Sequence, residues 1–155
     1  MRHEIVEARV EDAPDCVRVL RQSIAELCWA DHHGDAAAIG EWLENKTAEN
    51  VSMWIQNPRT IFFIGKVAGL ISGVGSALVS GEITLLYVDP AVRYQGLSTA
   101  LLEALEERLR CIGSSKSFLS STETARAFYV SRGYIVAENG NPPKMEKTLI
   151  CSGSK

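Results

Sequence analysis

The feature that most constrains the fold is a strand–turn–helix unit in the middle of the chain. Glu82 to Val88 is an apolar, β-prone run that Asp89-Pro90 ends. The turn Arg93-Tyr94-Gln95-Gly96-Leu97-Ser98 follows. Leu97, Leu101, Leu102, Leu105 and Leu109 then recur at helical spacing, with Glu103, Glu106, Glu107, Arg108 and Arg110 mostly off that stripe. Gly113 suits the end of this helix. An apolar stripe this regular must be covered, so the unit predicts a helix lying on a sheet.

The flanking sequence predicts the rest of that sheet. Ile5 to Val10 reads as a first strand. Asp12 caps a helix carrying Pro14 in its first turn, and Val17, Leu20, Ile24 and Leu27 continue it to near Trp29. Asp31-His32-His33-Gly34-Asp35 is a polar break, followed by helical stretches over 36–45 and 47–56 that Pro58 stops. Thr60 to Ile64 is a strand, Gly65-Lys66 a two-residue hairpin turn, and Val67 to Val79 a long strand. Gly69, Gly73 and Gly75 within it imply bulges or close backbone approach. Ser117 to Leu119 is a short strand, and Ser120-x-x-Glu123 a capping box opening a helix that Gly133 closes. Tyr134–Ala137 and Met145–Ile150 are the last strands, joined by the loop 139–143. The expected architecture is one domain, 1–155, of α/β (α+β) class: a mixed sheet with helices on both faces.

Composition removes several function classes. The net charge is −3 and no basic stripe is present, so nucleic acid is not expected as a partner. The apolar runs fall far short of the ~20 residues that span a bilayer, so neither is a membrane. Met1-Arg2-His3-Glu4 leads into no signal-peptide core, which points to the cytoplasm. Cys16, Cys28, Cys111 and Cys151 are widely spaced without a CxxC, and read as small core residues, not as a disulfide framework or a metal site.

A strand running through a glycine turn into a helix leaves backbone N–H groups unpartnered at the positive end of the helix dipole. Gly96 permits close approach there, and Arg93 adds a charge-assisted contact, so the turn suits an anion such as phosphate. It is neither a Walker loop nor a three-glycine dinucleotide fingerprint. By itself it specifies an anion and nothing narrower.

Two stretches together are more specific. Leu85-Leu86-Tyr87-Val88-Asp89-Pro90 through Arg93-x-x-Gly96-x-Ser98 to Leu101-Leu102 resembles the signature of the GNAT superfamily of N-acetyltransferases. Thr122-x-x-Ala125-x-x-Phe128-Tyr129-x-x-x-Gly133-Tyr134 is similar to the family's second signature, and Val67-Ala68-Gly69-Leu70 fits the hairpin before them. Ser98 departs from the family's usual Gly or Ala, and Thr122 from its frequent Asn. The resemblance implies a mostly antiparallel sheet of about seven strands, acetyl-CoA as co-substrate, and no metal. It places the pyrophosphate on the amides of Gln95, Gly96, Leu97 and Ser98 beside Arg93. The pantetheine lies along Leu86, Tyr87 and Val88, with Thr122, Ala125 and Tyr129 completing the site.

The resemblance further implies direct attack by a primary amine in a ternary complex. Tyr129, which alone would read as a core residue beside Phe128, becomes the expected general acid for the leaving thiolate. Glu82, otherwise a solvated strand-edge carboxylate, matches the position of a catalytic glutamate in some members and is the expected base. It also implies that the segment between the first and second strands forms one wall of the acceptor site. Trp29, Asp31 and His32 are the candidate contacts, and the acidic groups Asp31, Asp35 and Glu41 would suit a cationic amine, either a small molecule or a peptide. His32-His33 lacks a third ligand for a metal. The resemblance also allows a homodimer. Two other classes share the turn: a non-catalytic acyl-CoA sensor, which would need neither Tyr129 nor Glu82, and a phosphoryl-group enzyme, which would need an acidic metal ligand that the sequence does not supply.

Overall fold

The computed structural model describes residues 3–140 and 142–150, so Cys151 lies outside it. The first strand is β1 (His3–Glu7), followed by helices α1 (Ala13–Leu27), α2 (Trp29–His32), α3 (Ala36–Leu43) and α4 (Ala48–Gln56). Three strands come in succession: β2 (Thr60–Val67), β3 (Leu70–Leu78) and β4 (Ile83–Val88). The chain ends with α5 (Leu97–Cys111), β5 (Lys116–Ser120), α6 (Arg126–Ser131), β6 (Ile135–Glu138) and β7 (Lys144–Thr148).

All ladder pairings are antiparallel. They form one sheet in the order β1-β2-β3-β4 and another in the order β5-β7-β6. The two sheets touch at one place, where Glu82 pairs in parallel with Phe118 and the Phe118 N–H donates to the Gly81 carbonyl at 3.0 Å. Beyond that joint β4 and β5 separate. Gly81 is required there: its φ is 112°, and a Cβ would stand 2.4 Å from the Lys116 carbonyl oxygen.

The stripe of α5 explains the glycines of the long hairpin. Leu97, Leu101, Leu102, Leu105 and Leu109 are all buried in a core that spans both sheets. A Cβ on Gly73 would lie 2.8 Å from Leu101 Cδ1 and 2.9 Å from Leu97 Cδ2; one on Gly75 would lie 3.2 Å from Leu105 Cδ1. Close approach is therefore the reason for glycine at both positions. Gly65 has the same role, 2.7 Å from Leu97 Cδ1, and lies inside β2 beside a register shift. The hairpin turn is Ala68-Gly69, both left-handed, and not Gly65-Lys66. The opposite face of the first sheet carries α1 and α4 through Cys16, Val19, Leu20 and Val51 on Phe62, Ile64, Val74 and Leu85.

Two expected caps differ. Asp12 does not cap α1; its carboxylate accepts from Arg9 N–H at 2.8 Å in a preceding 3-10 turn. The Ser120–Glu123 box does not form, because Glu123 N–H donates to Asp31 Oδ1. Thr122 Oγ1 accepts from Ala125 N–H instead, and α6 starts at Arg126. At the end of α5, Gly113 (φ 91°) donates to Arg110 O and Ser114 to Leu109 O, the Gly C-cap that the sequence suggested.

Candidate active site

The separation of β4 from β5 opens a cleft of about 500 Å³. One wall is β4. Asp89 N–H donates to Ser72 O at 2.7 Å, which makes Ser72/Asp89 a hydrogen-bonded pair of the antiparallel ladder. Alternation then puts Val74/Tyr87 and Ser76/Leu85 in the same class, with Gly73/Val88 and Gly75/Leu86 between them. Leu86 and Val88 therefore turn their N–H and C=O groups away from β3, toward the split. A ligand with amide groups can extend the sheet along that free edge. A register shift at Ser76/Ala77 adds Thr84 as an extra residue in β4, with its hydroxyl 2.6 Å from Ser76 Oγ.

The second wall is the start of α5. Gly96 adopts φ 82°, ψ 6°, and a Cβ there would meet no atom within 4 Å, so it faces open space. The first α5 bond runs from Ala100 N–H to Gly96 O at 3.0 Å. The amides of Leu97, Ser98 and Thr99 have no acceptor among the described residues and stand at the helix's positive end. The exposed Arg93 guanidinium stacks 4.3 Å from the Tyr94 ring centroid. Upstream, Asp89 accepts from Ala91 N–H and from Arg18 Nη1 at 2.8 Å, tying the turn to α1.

The third wall is α6 with the turn before it. Tyr129 is buried, with its ring edge-on to Phe128 and Tyr134, each 5.4 Å away between centroids. Its hydroxyl has no hydrogen-bond partner among the described residues, yet no buried side-chain polar atom there lacks a partner. The hydroxyl therefore reaches the cleft that the residue lines. Burial, with the neighbouring Tyr87 adding to it, pushes the phenol's pKa well above its ordinary value, so it holds its proton throughout the neutral range. Tyr134 is fixed from behind by Glu106 Oε2 at 2.8 Å and Ser117 Oγ at 2.7 Å.

Of the residues expected to contact a cofactor, Leu86, Tyr87, Val88, Arg93, Gly96, Leu97, Ser98, Thr122, Ala125 and Tyr129 all line this one cleft, and Gln95 does not. Glu82 is outside the lining as well. It stands at the joint of the two sheets, where its backbone carbonyl accepts from Leu78 N–H at 2.8 Å.

Trp29, Asp31 and His32 do not form the cleft wall either. Trp29 is 59% exposed. Asp31 accepts from Glu123 N–H at 2.6 Å, Thr124 N–H at 3.1 Å and Thr124 Oγ1 at 2.5 Å, and so ties α2 to the turn before α6. His32 is buried, its ring joining Ile24 O at 2.8 Å and Gly34 N–H at 2.9 Å. Asp35 caps α3 by accepting from Ala38 N–H. The residues that do line this side, which the sequence did not single out, are Ser23, Leu27, Cys28 and Thr124. The helical pattern through Leu27 was visible, but nothing local marks which of its faces meets β4.

Among the described residues no cluster of His, Cys, Asp and Glu would hold a metal ion, and no helix is long and apolar enough to cross a membrane. No curated protein matches the chain in sequence. Its fold is that of a PaiA N-acetyltransferase from Thermoplasma acidophilum in complex with coenzyme A: 20% identity, 96% of this chain and 99% of that one, TM-score 0.82. A GCN5-related N-acetyltransferase from Rhodopseudomonas palustris superposes with TM-score 0.86 at 20% identity over 96% and 97% of the two chains. The ribosomal-protein-S18-alanine N-acetyltransferase from Escherichia coli gives 0.66 at 19% identity over 99% and 98%. The family model described as the acetyltransferase (GNAT) domain matches residues 29–147. That span takes in the free edge of β4, the α5 turn and Tyr129, and the chain therefore belongs to the GNAT family and is an acetyl-CoA-dependent acyltransferase.

Proposed function

We propose that this chain transfers an acetyl group from acetyl-CoA to an amine by direct attack within a ternary complex, with Tyr129 as the general acid. The observation that carries the reading is the convergence of three things on one cleft: the free β4 edge at Leu86 and Val88, the unpartnered α5 amides, and the Tyr129 hydroxyl. These residues fit the cofactor part by part. The amides from Leu97 to Thr99 and the Arg93 side chain suit a pyrophosphate. The β4 edge suits the amides of a pantetheine arm, and Ser98, small and lining the cleft, leaves the helix start accessible.

Acetyl-CoA supplies an activated thioester; the chain's own residues supply position and a proton. The β4 edge and the α5 turn hold the cofactor at two points, which fixes the reacting carbon relative to Tyr129. The buried phenol stays protonated and can donate to a departing thiolate. Thr122, expected to contact the cofactor by side chain, has its hydroxyl engaged with Ala125 N–H and shapes the turn that carries α6.

Calorimetric titration with acetyl-CoA, followed by thiol release with and without an amine panel, tests the reading. Thiol release that requires amine, with no burst in its absence, is the expected result. A burst of one equivalent of CoA without amine would refute direct attack. Tyr129→Phe is expected to lower kcat about 100-fold, the usual worth of a general acid, with KM for acetyl-CoA little changed. An unaltered kcat removes Tyr129 from the chemistry.

A further inference from the structure

We propose that the acceptor is a weakly basic amine on an apolar, uncharged body, an aromatic amine or an α-amino group adjoining a carbonyl, and not a polyamine or other polycation. The proposal rests on the acetyl-transfer reading above and adds the class of the acceptor. It starts from the two ends of the cleft. The end beneath α5 is lined by Arg93, Gly96, Leu97 and Ser98 and belongs to the cofactor. Away from the α5 turn the lining takes in Ser23, Leu27 and Cys28 from α1 and its end, together with Thr84, Tyr87 and Phe128.

The charge count at that end is decisive. All 19 Asp and Glu residues of the chain fall among the described residues, and none lines the cleft. Among the described residues Arg93 is the one charged side chain in the lining. The other titratable groups there are Cys28, Tyr87, Tyr94 and Tyr129. Burial pushes the Cys28 thiol up to about 12 and raises the Tyr87 phenol, with the negative charge of Asp31 reinforcing both. Both stay neutral. Asp31 lies outside the lining; its charge is felt at Cys28 and Tyr87, but its two oxygens already take three hydrogen bonds from residues 123 and 124 and contact no ligand space directly.

An ammonium entering this end meets apolar surface, neutral hydroxyls and no carboxylate. Burying a charge without a partner is costly, so the amine enters neutral. No lining group takes its proton either, so the fraction already neutral in solution sets the rate. With ordinary values of 7.7–8.0 for an α-amino group and about 10.4 for an alkylamine, that fraction differs about 300-fold at pH 7.

The test compares three acceptors on the full chain at saturating acetyl-CoA: phenylalaninamide, phenethylamine and spermidine. The expected order of kcat/KM at pH 7 is phenylalaninamide above phenethylamine by about tenfold or more, the weaker base being also the weaker nucleophile, with spermidine last. The pH profile of kcat/KM should inflect at the acceptor's own pKa and move when the acceptor is changed. A preference for spermidine, or an inflection that stays fixed across acceptors, would overturn the proposal. Thr84→Asp puts a carboxylate in the lining and should raise the spermidine-to-phenylalaninamide ratio about fivefold, the worth of one partly exposed ion pair; an unmoved ratio counts against it. Acetyl-CoA calorimetry on the same preparation separates the two levels. Failure to bind acetyl-CoA overturns the acetyl-transfer reading itself, whereas binding together with a spermidine preference overturns only the acceptor class.

Discussion

Replacing Gly81 by alanine should damage the fold, and replacing Gly96 by alanine should damage the site, although both glycines have positive φ. At Gly81, φ is 112°, a conformation that costs an L-residue about 1–3 kcal/mol. The new Cβ would also lie 2.4 Å from the Lys116 carbonyl oxygen. That neighbour is backbone, so the strand must retreat by about 1 Å, and forced overpacking adds about 1–3 kcal/mol. The retreat acts on the one joint between the two sheets, where Phe118 N–H bonds Gly81 O. The sum is on the order of 2–6 kcal/mol, which for a chain of this size lowers Tm by roughly 5–20 °C. At Gly96, φ is 82° and no atom lies within 4 Å of the Cβ position, so the strain of about 1 kcal/mol stands alone and Tm falls by a few degrees at most. Gly96 lines the cleft beside the free α5 amides proposed to hold the cofactor, so acetyl-CoA should bind about tenfold or more weakly to the alanine variant. Thermal melts and calorimetry on both variants read the two effects separately. Gly81→Ala melting within 2 °C of the parent, or Gly96→Ala losing as much stability as Gly81→Ala, would refute the assignment of one glycine to the joint and the other to the site.

Three further outcomes follow from single side chains. Glu82→Gln should leave the kcat/KM pH profile where it is, since the carboxylate does not line the cleft; a displaced profile would restore Glu82 as the base. At Asp89, burial works to raise the carboxyl's pKa, but the hydrogen bond from Arg18, the Ala91 N–H and the Arg18 charge outweigh it and hold the carboxyl below its ordinary value. A depressed carboxyl stabilises the fold above its unfolded pKa of about 3.9 and loses that contribution as pH falls. The Tm gap between the parent and Arg18→Met should therefore narrow from pH 7 to pH 2.5, and a constant gap would deny the linkage. Glu106 is buried and accepts from Tyr134 Oη at 2.8 Å and Lys147 Nζ at 3.0 Å. Glu106→Ala leaves Lys147 Nζ without its carboxylate and Tyr134 Oη with Ser117 alone, and should cost about 1–3 kcal/mol in denaturant unfolding, while a loss under about 0.5 kcal/mol would show that the network contributes little.

What the sequence disclosed, and what it withheld, divides along the range of the interactions. The α5 stripe, the Gly113 cap and the Arg93–Ser98 turn each depend on residues within a few positions of one another, and each stands where its spacing put it. The close approach at Gly73 and Gly75 was legible because glycine inside a strand has few other uses. Gly65 was misplaced because the same residue serves a hairpin turn and a helix contact, and only the position of Leu97, 32 residues on, decides between them.

The acceptor wall was hidden for a stronger reason. The segment from Trp29 to Glu41 carries acidic and imidazole groups that, by composition, suit a cation. In the folded chain three of those polar groups serve the backbone. Asp31 holds the amides of residues 123 and 124, His32 joins Ile24 O to Gly34 N–H, and Asp35 caps α3. Short helices joined by tight turns leave many backbone groups without partners inside their own element, and nearby polar side chains are recruited to satisfy them. The cleft is then lined by what remains, Leu27 and Cys28 from the end of α1 against Tyr87 and Phe128. A polar segment can thus border an apolar wall, and the proposed preference for a neutral amine rests on where the carboxylates stand, not on how many the segment contains.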